Sequence, residues 1–215
     1  MIEDTDSIQA IAQVSYSHAD AMTSLTPQPR KLPTQRRAVA TCAAIVEAAA
    51  RILEERDADA LNTNRIAERA GVSIGTLYQY FPDKHAILVT LIRRERDMLL
   101  AELRAIPEGS DTALEAMVAA AIRHQFARPR LAAALEHIEQ AFPLGTEANA
   151  MAEEIATISS GLLTRRFGAI RHSDLLTAIV IARGLVNAAG EGLLPRDGLS
   201  DRVVTAVKSY LLAVT

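Results

Sequence analysis

From Gln35 to Arg56 the apolar residues Val39, Cys42, Ile45, Val46, Ala49, Ile52 and Leu53 recur at steps of three and four, the stripe of an amphipathic helix. Asp57 to Asn62 interrupts it. Asn62 or Thr63 can cap a second helix with a side-chain oxygen. That helix buries Ile66, Ala67 and Ala70 and stops at Gly71, a residue that accepts a left-handed backbone without strain. Val72 fills the corner, Ser73 caps a third, short helix, and Pro82 ends it. Asp83 then caps a long fourth helix to about Ala105, closed by Pro107 and Gly109. Further helical patterns follow at Asp111 to Ala127, Pro129 to Ala141, Thr146 to Phe167, Ser173 to Gly190 and Ser200 to Ala213. No alternating Val/Ile/Thr run of strand type intervenes, so the pattern predicts an all-α protein of about nine helices.

Residues 1–33 differ in character: rich in Ser, Thr, Asp and Gln, with the proline-bearing tail TPQPRKLP, they read as a flexible N-terminal arm. Residues 34–83 then form a three-helix head, and residues 84–215 a helical body. At 215 residues and 49% hydrophobic content the chain can bury a substantial core. Charge is distributed unevenly. Arg30 to Arg96 holds 12 Lys and Arg against 8 Asp and Glu, whereas the rest of the chain holds 11 against 18. A basic head on an acidic body suits a polyanion-binding module attached to a part with another task.

Several classes drop out on composition. The single cysteine, Cys42, lies on the apolar stripe, which excludes an internal disulfide and fits a reducing cytoplasm and a packing role. The longest uninterrupted apolar stretch, Leu175 to Ala182, is too short to span a bilayer. No basic-then-apolar signal pattern opens the chain, so a cytoplasmic protein is expected, with no membrane partner. His124 and His137 lie 13 residues apart without ligand-type spacing, and no phosphate loop, nucleophile constellation or paired-carboxylate signature is recognisable. Neither a metal, a cofactor nor an enzyme is expected.

The second and third helices, joined by a Gly-containing turn, form a helix-turn-helix, whose second helix enters the major groove of DNA while the first crosses the backbone. On the third helix, Leu77 and Phe81 point together toward Val72 and Ala70 and belong to the core. The opposite face holds Gly75, Thr76 and Gln79, flanked by Tyr78 and Tyr80, with Ile74 exposed in the first turn. Gln79 can read adenine, Thr76 and Ile74 can touch a thymine methyl, and Gly75 lets the backbone approach closely. The tyrosines offer a hydroxyl to phosphate, packing at a helix seam being the alternative for one of them. Lys84, Arg36 and Arg37, together with Arg30 and Lys31 of the arm, supply a positive rim, and the arm can reach a minor groove.

The run TNRIAERAGVSIGTLYQYFPDK, Thr63 to Lys84, resembles the DNA-binding signature of the TetR/AcrR family of bacterial transcriptional regulators. The preceding helix, with Ile45, Ala48, Ala49 and Leu53, resembles that family's first helix. The resemblance implies that Ile74, Gly75, Thr76, Tyr78 and Gln79 face bases or the backbone beside them, and that Thr63, Asn64, Tyr80 and Lys84 hold phosphates. Ser73, at the start of the reading helix, joins this DNA-binding set, as do Arg36 and Arg37. Two positions depart from the family pattern. Ile74 stands where many members carry a polar or basic residue, which favours a methyl contact over a hydrogen bond, and Arg65 stands where an acidic residue would complete a capping box.

In the body, Ser173 to Gly190 is apolar around much of its girth and rich in small residues, so it needs more than one partner. With Ser200 to Ala213 it is the candidate interface of a homodimer, through Leu176, Ile179, Val180, Arg183 and Val186 of the first helix and Val203, Val207, Tyr210 and Leu211 of the second. The family similarly dimerises through a four-helix bundle. Two-fold symmetry then implies a palindromic double-stranded operator read by heads about 35 Å apart or a multiple of that. The resemblance further implies a cavity for a small, largely apolar effector, with candidate lining residues Met98, His124, Phe126, Leu131 and Leu135, then His137, Ile138, Phe142, Met151, Ile155, Ile158 and Leu162. The expected function is that of a repressor released from its operator by the effector. The alternative is a non-inducible architectural or division-linked DNA-binding protein on the same scaffold.

Overall fold

The computed structural model describes residues 36–56, 60–141 and 145–215, and their side chains except at 140, 141, 145–149, 151 and 152. The arm at 1–33, with Arg30 and Lys31, and the pocket candidate Phe142 lie outside the described residues, as does the Met151 side chain. Within the described residues the chain is helical throughout: α1 (Arg36–Glu55), α2 (Thr63–Ala70), α3 (Ile74–Tyr80), α4 (Lys84–Arg104), α5 (Ala113–Ala127), α6 (Pro129–Ala141), α7 (Gly145–Phe167), α8 (His172–Gly190) and α9 (Leu199–Val214). The all-α order is the one that the periodicity predicts.

Local chemistry sets the ends of the short helices. The Asn62 side chain accepts the Arg65 backbone N–H at 2.9 Å, and Ser73 Oγ accepts that of Thr76 at 3.0 Å. Asp83 Oδ1 does the same for Ala86 at 2.9 Å, opening α4 directly behind Pro82. Gly71 closes α2 at φ +68°, with its own N–H on the Glu68 carbonyl and the Val72 N–H on that of Ala67. A Cβ at Gly71 would meet nothing within 4 Å, so Gly71→Ala tests the backbone conformation alone. It is expected to lower stability by about 1–2 kcal/mol in thermal unfolding, without altering the helical circular dichroism of the folded chain.

The starts of α8 and α9 each come one residue before the sequence expectation. α8 begins at His172, with Arg171 rather than Ser173 at the cap, because the Asp174 and Leu175 N–H groups already reach the Arg171 carbonyl at 2.9 and 3.1 Å. α9 begins at Leu199, because Gly198 takes a left-handed φ of +68° and turns the chain into the helix one residue early.

By its contacts the chain divides into a first unit ending at Asp97 and a second beginning at Met98, a boundary inside α4 rather than at its start. The first half of α4 belongs with the head for a visible reason. Ala86, Ile87, Leu88, Val89, Leu91 and Ile92 are buried, and Arg94 ties this stretch to Glu47 of α1 at 3.1 Å. The interior of the first unit is completed by Ile45, Ala49 and Ile52 of α1, Ile66 of α2, Leu77 of α3 and Phe81.

In the second unit the core is built from Leu114 and Val118 of α5, Leu162, Leu163 and Phe167 of α7, Leu175, Ala178 and Val186 of α8, and Val203, Val207 and Leu211 of α9. The buried carboxylate of Asp174 accepts from Arg171 Nε at 2.7 Å and from the Tyr210 hydroxyl at 3.2 Å, joining the start of α8 to α9. α8 alone of the described helices is long and apolar enough, by length and composition, to cross a membrane, yet only 28% of that stretch is buried within the chain. An apolar helix with this much free surface lacks part of its cover.

Candidate nucleic-acid interface

The turn of the helix-turn-helix is held by side-chain bonds between residues distant in sequence. At one end the Arg69 guanidinium clasps both carboxylate oxygens of Glu55, at 2.6 and 2.5 Å, fixing the end of α2 to the end of α1. At the other, the Thr63 and Tyr78 hydroxyls share a hydrogen bond of 3.1 Å, joining the first residue of α2 to the middle of α3. Arg65, where a capping box is incomplete, turns back to donate to the Ala60 carbonyl at 3.0 Å and so braces the entry to α2 from the other side.

The Arg69 hydrogen bond, followed by its charge, holds the Glu55 carboxyl below the usual carboxylate range against the opposing effect of desolvation. A depressed folded-state pKa contributes stability above the unfolded value and loses it as pH falls through the folded one. The acid limb of a thermal-stability profile below pH 5 is therefore expected to become shallower in Arg69→Met, the difference from wild type vanishing at the lowest pH. An unchanged limb would mean that this exposed pair contributes nothing.

α3 divides cleanly by exposure. Leu77 and, just beyond the helix, Phe81 are buried, whereas Ile74, Gly75, Tyr78 and Gln79 are exposed and Thr76 and Tyr80 half-buried. The outer surface thus holds the candidate reading residues as the sequence places them. Thr76 also bonds the Ser73 hydroxyl at 2.9 Å, so cap and reading face are coupled. Asn64, Lys84, Arg36 and Arg37 are exposed, and Thr63 is half-buried by its bond to Tyr78. Arg37 lines a cleft of about 360 Å³ together with Ala38 and Thr41 of α1, Gly71, Val72 and Ser73 of the turn, and Thr76 and Tyr80 of α3. Of these, Ala38 and Thr41 carried no sequence signal, since α1 presents them only once its buried stripe is packed. Burial pushes the Cys42 thiol up to about 11, so it stays protonated and serves as a packing group.

In the second unit the outcome is mixed. Leu131, Leu135, Ile138 and Leu162 are buried, and His124, Phe126, Ile155 and Ile158 partly so. Phe126 carries the Arg196 guanidinium over its ring at 4.1 Å, a lid on one face. Met98 and His137 are exposed and do not line an interior, because the faces of α4 and α6 that bear them point to solvent. Among the interface candidates, Val180 and Arg183 are exposed and Leu176, Ile179 and Tyr210 partly so. Val186, Val203, Val207 and Leu211 are corrected: they are the inward stripe of α8 and α9, filling the chain's own core. The outward surface of α8 holds Thr177, Val180, Arg183 and Gly184, and that of α9 includes Thr205 and Leu212. A helical wheel centred on the buried residues would have found Gly184 and Leu212.

Comparison with known proteins agrees with this geometry. Residues 45–91, from the middle of α1 to the first half of α4, match the family model described as bacterial regulatory proteins, tetR family. An HTH-type transcriptional regulator of Staphylococcus aureus strain USA300 is 30% identical over 73 residues, 34% of this chain and 40% of that protein. The chain therefore aligns with less than half the length of that relative. A TetR transcriptional regulator from Rhodococcus sp. RHA1 shares the fold at TM-score 0.62 and 20% identity, over 84% of this chain and 99% of that one. The multidrug binding protein EbrR, complexed with imidazole, shares it at TM-score 0.67 and 17% identity, over 85% and 96%. The head of the chain, over residues 45–91, thus matches that of the tetR family of bacterial regulatory proteins, and the described residues share the fold of solved TetR regulators.

Proposed function

We propose that the protein is a cytoplasmic DNA-binding transcriptional regulator, a homodimeric repressor that leaves a palindromic operator when a small, largely apolar effector enters its body. The observation that carries this reading is the outer surface of α3: hydroxyl, amide and glycine positions, capped at Ser73, clasped to α2 through Tyr78 and Thr63, and held over a buried Leu77. A reading element needs such rigidity, because base contacts specify only when the helix is held in register while basic groups grip the phosphates. Exposed Arg36, Arg37 and Lys84 stand outside the reading face and suit that second role.

Dimerisation is supported by the incomplete cover of α8 and by its outward Thr177, Val180 and Gly184, small enough for a second helix to approach closely. The effector reading draws on the apolar residues of α6 and α7, among them Leu135, Ile158 and Leu162, and on the small-molecule complex of EbrR. Such a ligand acts only by binding the DNA-incompetent arrangement more tightly than the competent one. α4, which runs from the first unit into the second, is the element through which the preference would pass.

The test is a footprint of the full chain over the DNA upstream of its own gene, repeated with a panel of apolar compounds. One protected palindrome that an effector exposes again is the expected result. No protected DNA at low salt overturns the reading, and protection at many unrelated sites, indifferent to every compound, overturns its inducible part.

A further inference from the structure

We propose that α3 reads A·T base pairs, through the amide of Gln79 on adenine and the branched side chain of Ile74 on a thymine methyl, and makes no guanine contact. This rests on the DNA-binding function proposed above and specifies the ligand of that surface.

The inference follows from what remains after the structure has assigned the rest of the helix. Leu77 is buried, and Gly75 has no side chain. The Tyr78 hydroxyl is engaged with Thr63 and that of Thr76 with Ser73, so both serve first to fix the helix. Tyr80 turns into the cleft beside Arg37 and Thr41. Two side chains are left pointing outward. Gln79 lies opposite the buried Leu77 and Phe81, exposed, and no hydrogen bond among the described residues engages its amide. Ile74 is 38% exposed at the leading end of the helix, the part that a helix-turn-helix inserts deepest.

The chemistry of these two groups is selective. A glutamine amide pairs in bidentate fashion with the N6 and N7 edge of adenine, and an apolar branch fits the C5 methyl that thymine alone presents in the major groove. Guanine is read most often by Arg or Lys, and Ile74–Tyr80 contains neither. Of the guanidinium groups nearby, Arg65 is engaged by the Ala60 carbonyl and Arg69 by Glu55, while Arg37 stands on α1 across the cleft from Thr76 and Tyr80, and Lys84 lies beyond Pro82 on the next helix, so neither of these two is carried by α3.

The test selects duplexes from a random pool with the full chain, then replaces single bases in the enriched half-site. Enriched half-sites are expected to carry A·T pairs at the positions whose major-groove edges the protein protects. Replacing one thymine by uracil, which removes only the methyl, should weaken wild type several-fold and leave Ile74→Ala indifferent. Replacing one adenine by guanine should cost wild type about 5- to 150-fold and Gln79→Ala far less. Both variants change exposed side chains, and unchanged thermal unfolding verifies that they fold. Protected G·C positions, or variants that weaken binding while keeping the wild-type base preferences, would overturn the assignment. Failure to enrich any duplex would instead overturn the DNA-binding function beneath it.

Discussion

Leu77→Ala is expected to destabilise the first unit by about 2–5 kcal/mol and to abolish operator binding, while Tyr78→Ala, one residue on, leaves the unit folded and weakens binding alone. Leu77 has no exposed surface, and the truncation leaves a cavity amid the buried side chains of the head. In so small a unit that loss is a large fraction of the available stability. Tyr78 is 42% exposed and gives up one solvent-accessible hydrogen bond to Thr63. Such a bond contributes about 1 kcal/mol or less. Its main loss is an aromatic body on the reading surface and the brace that sets the pitch of α3. Tyr78→Phe separates the two, since it keeps the ring and removes only the hydroxyl. Thermal unfolding and operator titration of all three variants make the comparison, and equal destabilisation by Leu77→Ala and Tyr78→Ala would contradict the division of α3 into a buried and a reading face.

The head was legible because its determinants are local. Asn62, Ser73 and Asp83 cap helices through bonds spanning three residues, and Gly71 adopts the conformation that only glycine takes without strain, so each can be read from a short window. The clasps were not legible, because Arg69 to Glu55 spans 14 residues and Tyr78 to Thr63 spans 15, and sequence spacing says nothing of partners on different helices. In the body the periodicity found the helices but misjudged their sides. α8 and α9 are apolar over more than one face, and the stripe with the stronger repeat, Val203, Val207 and Leu211, went to the chain's own core. Val180 was already legible as an outward residue, whereas Thr205 and Leu212 of α9 became visible only once that stripe was occupied. His137 misled for a related reason: it neighbours the buried Ile138 in sequence, yet a helix turns about 100° between them and carries it to solvent.

Val180→Glu carries the largest consequence for function. Val180 is 68% exposed on the outward face of α8, flanked by Thr177 and Gly184, so a carboxylate there sits freely in water in the single chain. Fold and thermal stability of the isolated unit should barely change. Brought against a second copy, however, two such charges face each other across a small-residue seam and lose their hydration without a partner, a penalty that only dissociation removes. Sedimentation is expected to give a dimer for wild type and a monomer for the variant. Operator affinity should then fall about 10²–10⁴-fold, since each head binds alone and loses the effective concentration that its tethered twin supplies. The loss should be confined to full palindromes, with an isolated half-site bound equally by both proteins. A variant that remains dimeric would move the interface away from this face of α8, and a monomer that still binds the palindrome at full strength would detach dimerisation from recognition.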